Sequence, residues 1–197
     1  MNPNIHTISF PGRLAMSDDE FFEFCQANRQ LDFERDKYGN IIIMSPNSSL
    51  NSRRHSILQN SLFQWNEDNQ GKGVVFDASA GFTLPDTSVR SPDVAWVVKE
   101  KWNKLTNKEK SAFAPIVPEF IMEVMSPSDT LKDLQDKMGH WIENGVQLGW
   151  LIDPENEKAY IYTSEGITRI AESFDTQLDG APMLPGFTFD LSLLRDQ

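Results

Sequence analysis

Pro118-Glu-Phe-Ile-Met-Glu-Val-Met125 is an almost wholly apolar run in the second half of the chain. Such a run is typical of a strand that is covered on both faces, so we expect it near the centre of a β-sheet. Glu123 interrupts the run, and burying an unpaired carboxylate costs several kcal/mol. Glu123 therefore needs a partner, which is either a basic side chain in a structural ion pair or a metal ion shared with another acid such as Asp93.

The flanking segments predict helices alternating with strands. Ser17–Glu20 has the pattern of a capping box and predicts a first helix, and Lys37–Asn40 predicts the turn of a β-hairpin. Apolar spacing predicts a long helix over residues 48–70 and another that opens at Ser126–Asp129 and ends near Asn144. Further β-rich segments are 74–76, 81–84, 93–98, 148–152, 160–162 and 167–170. The tail has no strong period, and we expect it to pack on the surface of the core.

The composition is that of an ordinary soluble globular protein. Of 197 residues, 39% are hydrophobic and 24% are charged, and we expect a single domain over residues 1–197. No apolar run approaches the roughly 20 residues that cross a bilayer, and the first residues do not resemble a signal peptide. We therefore expect a cytoplasmic protein without a membrane partner. The one cysteine, Cys25, excludes an intramolecular disulfide and a thiolate zinc site.

The net charge of -11 lowers the expectation of a nucleic-acid partner, because it repels polyanions. A carboxylate cluster that holds a divalent cation nevertheless counts as negative until the ion binds. The charge alone therefore does not exclude a nuclease. Familiar motifs such as GxSxG, the P-loop and HExxH are absent, and His6, His55 and His140 are scattered without forming a ligand pair.

Asp93 directly follows Ser91-Pro92 at the start of an apolar segment. An acid in this position either closes a turn or projects from the end of the sheet. If Asp93 and Glu123 lie on neighbouring strands and converge, they form an oxygen site of the kind that Mg²⁺ favours, with water and phosphate oxygens completing the coordination.

The helix after Glu123 adds a basic residue. Thr130, Asp133 and Lys137 share one flank of its apolar stripe by their three- and four-residue spacing. Lys137 is thus directed at the edge of the core. It either pairs with Asp133 or lays its stem over apolar surface, or else it orients an attacking water or neutralises phosphoryl charge.

Six segments in consistent order resemble the Uma-two family of bacterial restriction endonucleases, which is similar to the PD-(D/E)XK nuclease superfamily. The resemblance is strongest over residues 17–170. The segments are Phe33-Glu34 with Ile41-Ile-Ile-Met-Ser-Pro46, His55-Ser-Ile57, Phe82-Thr-Leu-Pro-Asp86 with Arg90-Ser-Pro-Asp-Val-Ala-Trp96, Glu123-Val-Met-Ser-Pro-Ser128, Asp133-Leu-Gln-Asp-Lys137 and Trp150-Leu-Ile-Asp-Pro154.

The resemblance implies an α/β (α+β) fold with a restriction-endonuclease-like core, in which helices flank a mixed β-sheet and the active site lies at one end. It also implies that Asp93 and Glu123 bind the metal. The superfamily lysine would fall on Met125, so the resemblance implies that Lys137 of the following helix replaces it. Glu34 matches an acidic position and is expected to be an auxiliary contact to metal or water.

We therefore expect an endonuclease that hydrolyses DNA phosphodiester bonds with Mg²⁺, for which Mn²⁺ can substitute, and that forms a homodimer. Arg53, Arg54 and the segment Lys99–Lys110 are the basic candidates for DNA contact. Two alternatives stay open. One is a non-cutting nucleic-acid-binding or regulatory module on the same fold. In the other, Glu123 and Lys137 form a purely structural ion pair.

Overall fold

The computed structural model describes residues 6–9 and 16–196. Its helices are α1 (Asp18–Ala27), α2 (Ser49–Asp68), α3 (Lys99–Asn103), α4 (Asn107–Lys110) and α5 (Leu131–Glu143), with a 3₁₀ helix over Leu191–Leu194. Its strands are β1 (His6–Ile8), β2 (Phe33–Arg35), β3 (Ile41–Ile43), β4 (Gly73–Asp77), β5 (Phe82–Thr83), β6 (Val89–Arg90), β7 (Val94–Val98), β8 (Phe120–Val124), β9 (Leu148–Asp153), β10 (Lys158–Thr163), β11 (Gly166–Ala171), β12 (Gln177–Asp179) and β13 (Thr188–Asp190).

A six-stranded sheet in the order β11-β10-β9-β8-β7-β4 forms the centre of the fold. β8 pairs in parallel with β9, whereas the other neighbours in this sheet are antiparallel. All residues of β8 are buried. The apolar run around Glu123 is therefore the inner strand of a mixed sheet, which confirms the prediction made from its composition.

A second sheet, in the order β1-β3-β2-β6-β5, lies beside the first. It contains the predicted hairpin, because β2 and β3 pair in antiparallel fashion. Asp36 Oδ1 closes the turn by accepting the N–H groups of Tyr38 and Asn40, each at 2.8 Å, and Gly39 adopts a φ of +84°. The chain leaves this sheet after Arg90 and enters the central sheet at Val94, so the two sheets meet beside Asp93.

Helices cover both faces of the central sheet. On one face, Leu58 and Leu62 of α2 pack with Phe120 in a core cluster. On the other face, Met138 and Trp141 of α5 pack with Ile121, the residue that follows Phe120 in β8. Successive residues of a strand face opposite sides, so α2 and α5 lie on opposite faces of β8. Within the described part of the chain, no helix combines the length and the apolar character that a bilayer crossing requires.

The predicted start of the last long helix was wrong by about one turn. Ser126–Asp129 forms its own turn, in which Asp129 Oδ2 accepts the Ser126 N–H at 2.8 Å and the Ser126 hydroxyl at 2.7 Å. The helix begins at Leu131, and its N-cap is Thr130, whose hydroxyl accepts the Asp133 N–H at 3.2 Å. Two capping patterns follow each other in this sequence, and the second one starts the helix.

The tail belongs to the core, so the expectation that it packs on the surface was wrong. The side chains of Phe174, Leu178, Phe187, Phe189 and Leu194 are all buried. The Phe187 ring stacks on Trp150 with centroids 5.4 Å apart and planes 9° apart. The tail has no period in sequence because its elements are short, and each adds only one or two residues to the core.

Candidate active site

Two carboxylates meet where β7 and β8 lie side by side. The register pairs Val94 with Met122, and Asp93 directly precedes Val94 while Glu123 directly follows Met122. The Val124 N–H donates to Asp93 Oδ2 at 2.7 Å. The backbone of β8 therefore holds Asp93 beside Glu123 at the end of the sheet.

Lys137 reaches the same point from α5. Its Nζ lies 2.8 Å from Glu123 Oε1 and 3.2 Å from Glu34 Oε1, and it donates to the Ser91 carbonyl oxygen at 3.1 Å. A hydrogen bond to the Ser91 carbonyl oxygen and ion pairs with Glu123 and Glu34 therefore hold the ammonium group in place. The alternative pairing with Asp133 is not observed, because Asp133 Oδ2 instead accepts the Thr130 hydroxyl at 2.7 Å.

Glu34 joins the second sheet to this cluster. Its side chain is only 2% exposed, and it accepts Arg90 Nη1 at 2.7 Å and the Ser91 N–H at 3.1 Å. Burial acts to raise the pKa of Glu34, but the attraction of Lys137 and Arg90 outweighs burial and brings that pKa to about 2. Glu34 is therefore ionised, and it fixes both cations.

Asp93 and Glu123 have pKa values well above the ordinary values of their carboxyl groups. Burial raises the pKa of Glu123 to about 7 against the opposing attraction of Lys137, and the repulsion of Asp93 adds to the rise. Burial likewise raises the pKa of Asp93 to about 6. Among the residues that the structure describes, Glu34, Asp93 and Glu123 together face two fixed cations, Lys137 and Arg90. The cluster therefore carries an excess negative charge, which a proton or a cation would offset.

The free oxygens of this pair fit a divalent cation. Glu123 Oε1 accepts both Lys137 Nζ and the Trp141 indole N–H, the latter at 3.0 Å. No hydrogen bond from the residues that the structure describes reaches Glu123 Oε2 or Asp93 Oδ1. Among those residues, no cluster of three or more His, Cys, Asp or Glu side chains forms a metal site. Mg²⁺ requires only one or two carboxylates and takes its other ligands from water and substrate, so the pair suits this ion.

The cluster opens into a cavity of about 710 Å³ between the two sheets and α5. Apolar residues form part of its wall: Phe33 and Ile42 of the β2–β3 hairpin, Leu134 of α5, and Leu31, Met44 and Phe113 from connecting segments. Acids dominate its charged lining, which contains Asp32, Glu34, Asp93, Glu123, Asp129, Asp133 and Asp136 against Arg29, Arg90 and Lys137. The cavity can hold a small ligand or one end of a larger one.

Sequence reasoning missed three side chains that contact the predicted ones. Arg90 binds Glu34, Trp141 binds Glu123, and His55 Nε2 lies 3.4 Å from Asp93 Oδ2. Burial lowers the pKa of His55, although the charge of Glu123 opposes that shift. One signal for His55 is present in the sequence, since it lies three residues before buried Leu58 on the inward stripe of α2.

The basic candidates for DNA contact lie outside this cluster. Arg53 Nη1 donates to the Arg195 carbonyl oxygen at 3.4 Å, and Arg54 Nε donates to the Leu194 carbonyl oxygen at 3.1 Å, so both hold the tail. Neither is among the described residues that line the cavity. The segment Lys99–Lys110 begins directly after β7, whereas Asp93 directly precedes β7. The length of that strand therefore separates the first residues of the segment from the site.

Comparisons with known proteins agree with this architecture. The family model Uma2, described as "Putative restriction endonuclease", matches residues 18–193. A crystal structure of a "putative nuclease belonging to DUF820" from Anabaena variabilis ATCC 29413 has 19% identity and a TM-score of 0.70, over 91% of this chain and 97% of that chain. A cryo-EM structure of a DrdV–DNA complex has 13% identity and a TM-score of 0.39, over 59% of this chain and 10% of that one. The comparison with curated proteins gives no match.

The chain thus has a mixed α/β fold with helices flanking its sheets, as the resemblance implied, and shares this fold with the Anabaena variabilis structure. The chain belongs to the Uma2 (Uma-two) family, because the family model covers most of its length.

Proposed function

We propose that this protein is a magnesium-dependent endonuclease that hydrolyses phosphodiester bonds in DNA, with Asp93 and Glu123 as its metal-binding residues. Membership of the Uma2 family supports the nuclease class. The observation that carries the proposal is the convergence of two high-pKa carboxylates on the wall of one cavity, Glu123 buried and Asp93 half-buried. Each has one oxygen that accepts no hydrogen bond from the described residues.

Magnesium supplies, when bound, the positive charge that polarises a phosphate and makes a nearby water more acidic, and Mn²⁺ can supply the same chemistry. Lys137 adds a second positive charge against the charge that develops on the phosphoryl group. Because Glu34, Glu123 and the Ser91 carbonyl oxygen hold its ammonium group in place, Lys137 acts through its charge and through the position of Glu123. Glu34 is the auxiliary residue that holds Lys137 and Arg90 in place.

The test is cleavage of supercoiled and linear DNA by the purified chain in Mg²⁺, Mn²⁺ and EDTA. Asp93→Asn and Glu123→Gln remove the proposed ligands while keeping the side-chain shapes. Glu119→Gln is the matched control, because Glu119 is also buried beside β8 and its Oε1 lies 2.8 Å from Lys101 Nζ, at the opposite end of the strand.

We expect nicking that requires metal, stops in EDTA, is lost in both site variants and is retained in the control. Absence of cleavage by the parent protein with either metal, or cleavage that survives in folded Asp93→Asn, would contradict the proposal. An RNA substrate in parallel tests the preference for DNA. Sedimentation velocity of the same preparation tests the predicted homodimer.

A second candidate function is a non-cutting nucleic-acid-binding or regulatory module on the same fold. The acid-rich lining of the cavity favours its regulatory form, because carboxylates on the wall repel a phosphate backbone. This candidate predicts binding of divalent cation without cleavage of any nucleic acid. In either case Arg53, which is exposed, stays a predicted DNA contact, and Arg53→Gln tests it by a loss of affinity that diminishes at high salt.

A further inference from the structure

His55 lies at the proposed metal site without having an assigned role there. It belongs to the inward face of α2 and is 8% exposed. α2 covers the face of the central sheet opposite α5, so His55 and Lys137 approach the end of β7 from opposite sides. Its Nε2 lies 3.4 Å from Asp93 Oδ2.

The His55 Nε2 atom is buried and has no hydrogen-bond partner in the described part of the chain. Its approach to Asp93 is too poorly directed to form a hydrogen bond. A buried polar atom without a partner costs about 1–3 kcal/mol, and native proteins seldom leave one unexplained. Two acceptor atoms this close repel each other unless a proton or a cation lies between them.

His140, a half-buried histidine that lines the cavity, has its partners. His140 Nε2 lies 2.9 Å from the Ser88 hydroxyl oxygen and 3.3 Å from Asp86 Oδ2. The same ring nitrogen contacts both residues, and Ser88 is fully buried, so this group is not arranged as a catalytic triad. Of the two histidines, His55 alone has an unpartnered nitrogen next to a carboxylate.

We propose that His55 Nε2 becomes a third protein ligand of the divalent cation that Asp93 and Glu123 bind, an inference that rests on the metal site of the proposed function. The three side chains do not yet form a three-residue cluster in the described part of the chain, so binding of the ion draws them together. Ligand atoms about 2.1 Å from one ion and at right angles are about 3 Å apart. Asp93 Oδ2 lies 3.4 Å from His55 Nε2 and, as a carboxylate oxygen, can bind the ion while it also accepts the Val124 N–H. Because imidazole suits Mn²⁺ and other transition metals better than Mg²⁺, the site binds Mn²⁺ more tightly than Mg²⁺.

The experiment is electron spin echo spectroscopy of Mn²⁺ bound to the full chain without nucleic acid. It detects coupling of the metal to a ligating nitrogen, and a sample labelled with ¹⁵N-histidine identifies that nitrogen as imidazole without any substitution. His55→Gln removes the proposed ligand, and His140→Gln is the matched control. A Mn²⁺ titration of each protein gives the affinity.

We expect histidine nitrogen coupling in the parent and in His140→Gln, its loss in His55→Gln, and at least a tenfold loss of Mn²⁺ affinity in His55→Gln. Mn²⁺ bound without nitrogen coupling in the parent, or coupling that persists in His55→Gln, would overturn the role of His55 while leaving the carboxylate site intact. Absence of Mn²⁺ binding by the parent would overturn both this inference and the metal dependence of the proposed function.

Discussion

Replacing Glu123 with Gln is expected to stabilise the metal-free protein, relative to the parent, as the pH rises from 5 to 8. Burial raises the pKa of Glu123 from an ordinary value of 4.5 to about 7. The unfolded chain therefore loses this proton at a lower pH than the folded chain does. A carboxyl group whose pKa is raised by folding favours the unfolded state once the pH exceeds its pKa in the unfolded chain. The parent therefore loses stability between pH 5 and pH 8, whereas the Gln variant has no proton to lose at this position.

The size of the effect follows from the same two pKa values. Each unit of difference corresponds to about 1.4 kcal/mol. Most of the interval between the two pKa values, 4.5 and about 7, lies between pH 5 and pH 8. We therefore expect the difference in free energy of unfolding, variant minus parent, to increase by roughly 2–3 kcal/mol across this range. A bound divalent cation restores the stability of the parent, since a ligand at 100 times its Kd stabilises the folded state by about 2.7 kcal/mol.

The assay is urea unfolding in EDTA at several pH values from 5 to 8, followed by tryptophan fluorescence. Glu119→Gln is the matched control, and we expect it to be destabilised at pH 8 because it removes one partner of the ion pair with Lys101. If the difference between Glu123→Gln and the parent stays constant from pH 5 to pH 8, Glu123 is not a buried acid that holds its proton, and the reasoning is refuted.

Three further changes test other parts of the account by urea unfolding at pH 8. Lys137→Met leaves buried carboxylates without their shared cation and is expected to cost about 3–5 kcal/mol; a cost near zero would mean that the cluster tolerates its excess charge. Phe187→Ala is expected to cost about 3–5 kcal/mol, and a cost typical of surface positions would contradict the place of the tail in the core. Ser17→Ala removes the hydroxyl that accepts the Glu20 N–H in the capping box and is expected to cost about 1 kcal/mol; an unchanged urea midpoint would count against that cap.

Elements that depend on neighbouring residues were predictable from the sequence. Ser17 forms both bonds of its capping box, and Ser48 caps α2 by accepting the Asn51 N–H at 3.2 Å. β6 was missed because a strand of two residues is too short to show an alternation of apolar and polar side chains. The burial of Phe187 was also missed, because its stacking on Trp150 depends on a contact between distant parts of the chain.

The residues of the candidate site were likewise predictable only where a local sequence pattern identifies them. Glu123 was detectable because it is an acid within an apolar strand, and helical spacing directed Lys137 at the edge of the core. The structure brings both together with Asp93 and Glu34, while their roles in metal binding and hydrolysis stay predictions. His55 looked like a scattered histidine, since only the packing of α2 against the end of β7 sets it beside Asp93.

The claim at the centre of this account is that Asp93 and Glu123 together bind a divalent cation. Anomalous diffraction from a crystal soaked in Mn²⁺ tests it most directly. The account predicts an anomalous peak within about 2.0–2.3 Å of one oxygen of Asp93 and one oxygen of Glu123. Clear density for both side chains with no peak between them, at a Mn²⁺ concentration that supports cleavage in solution, would contradict it.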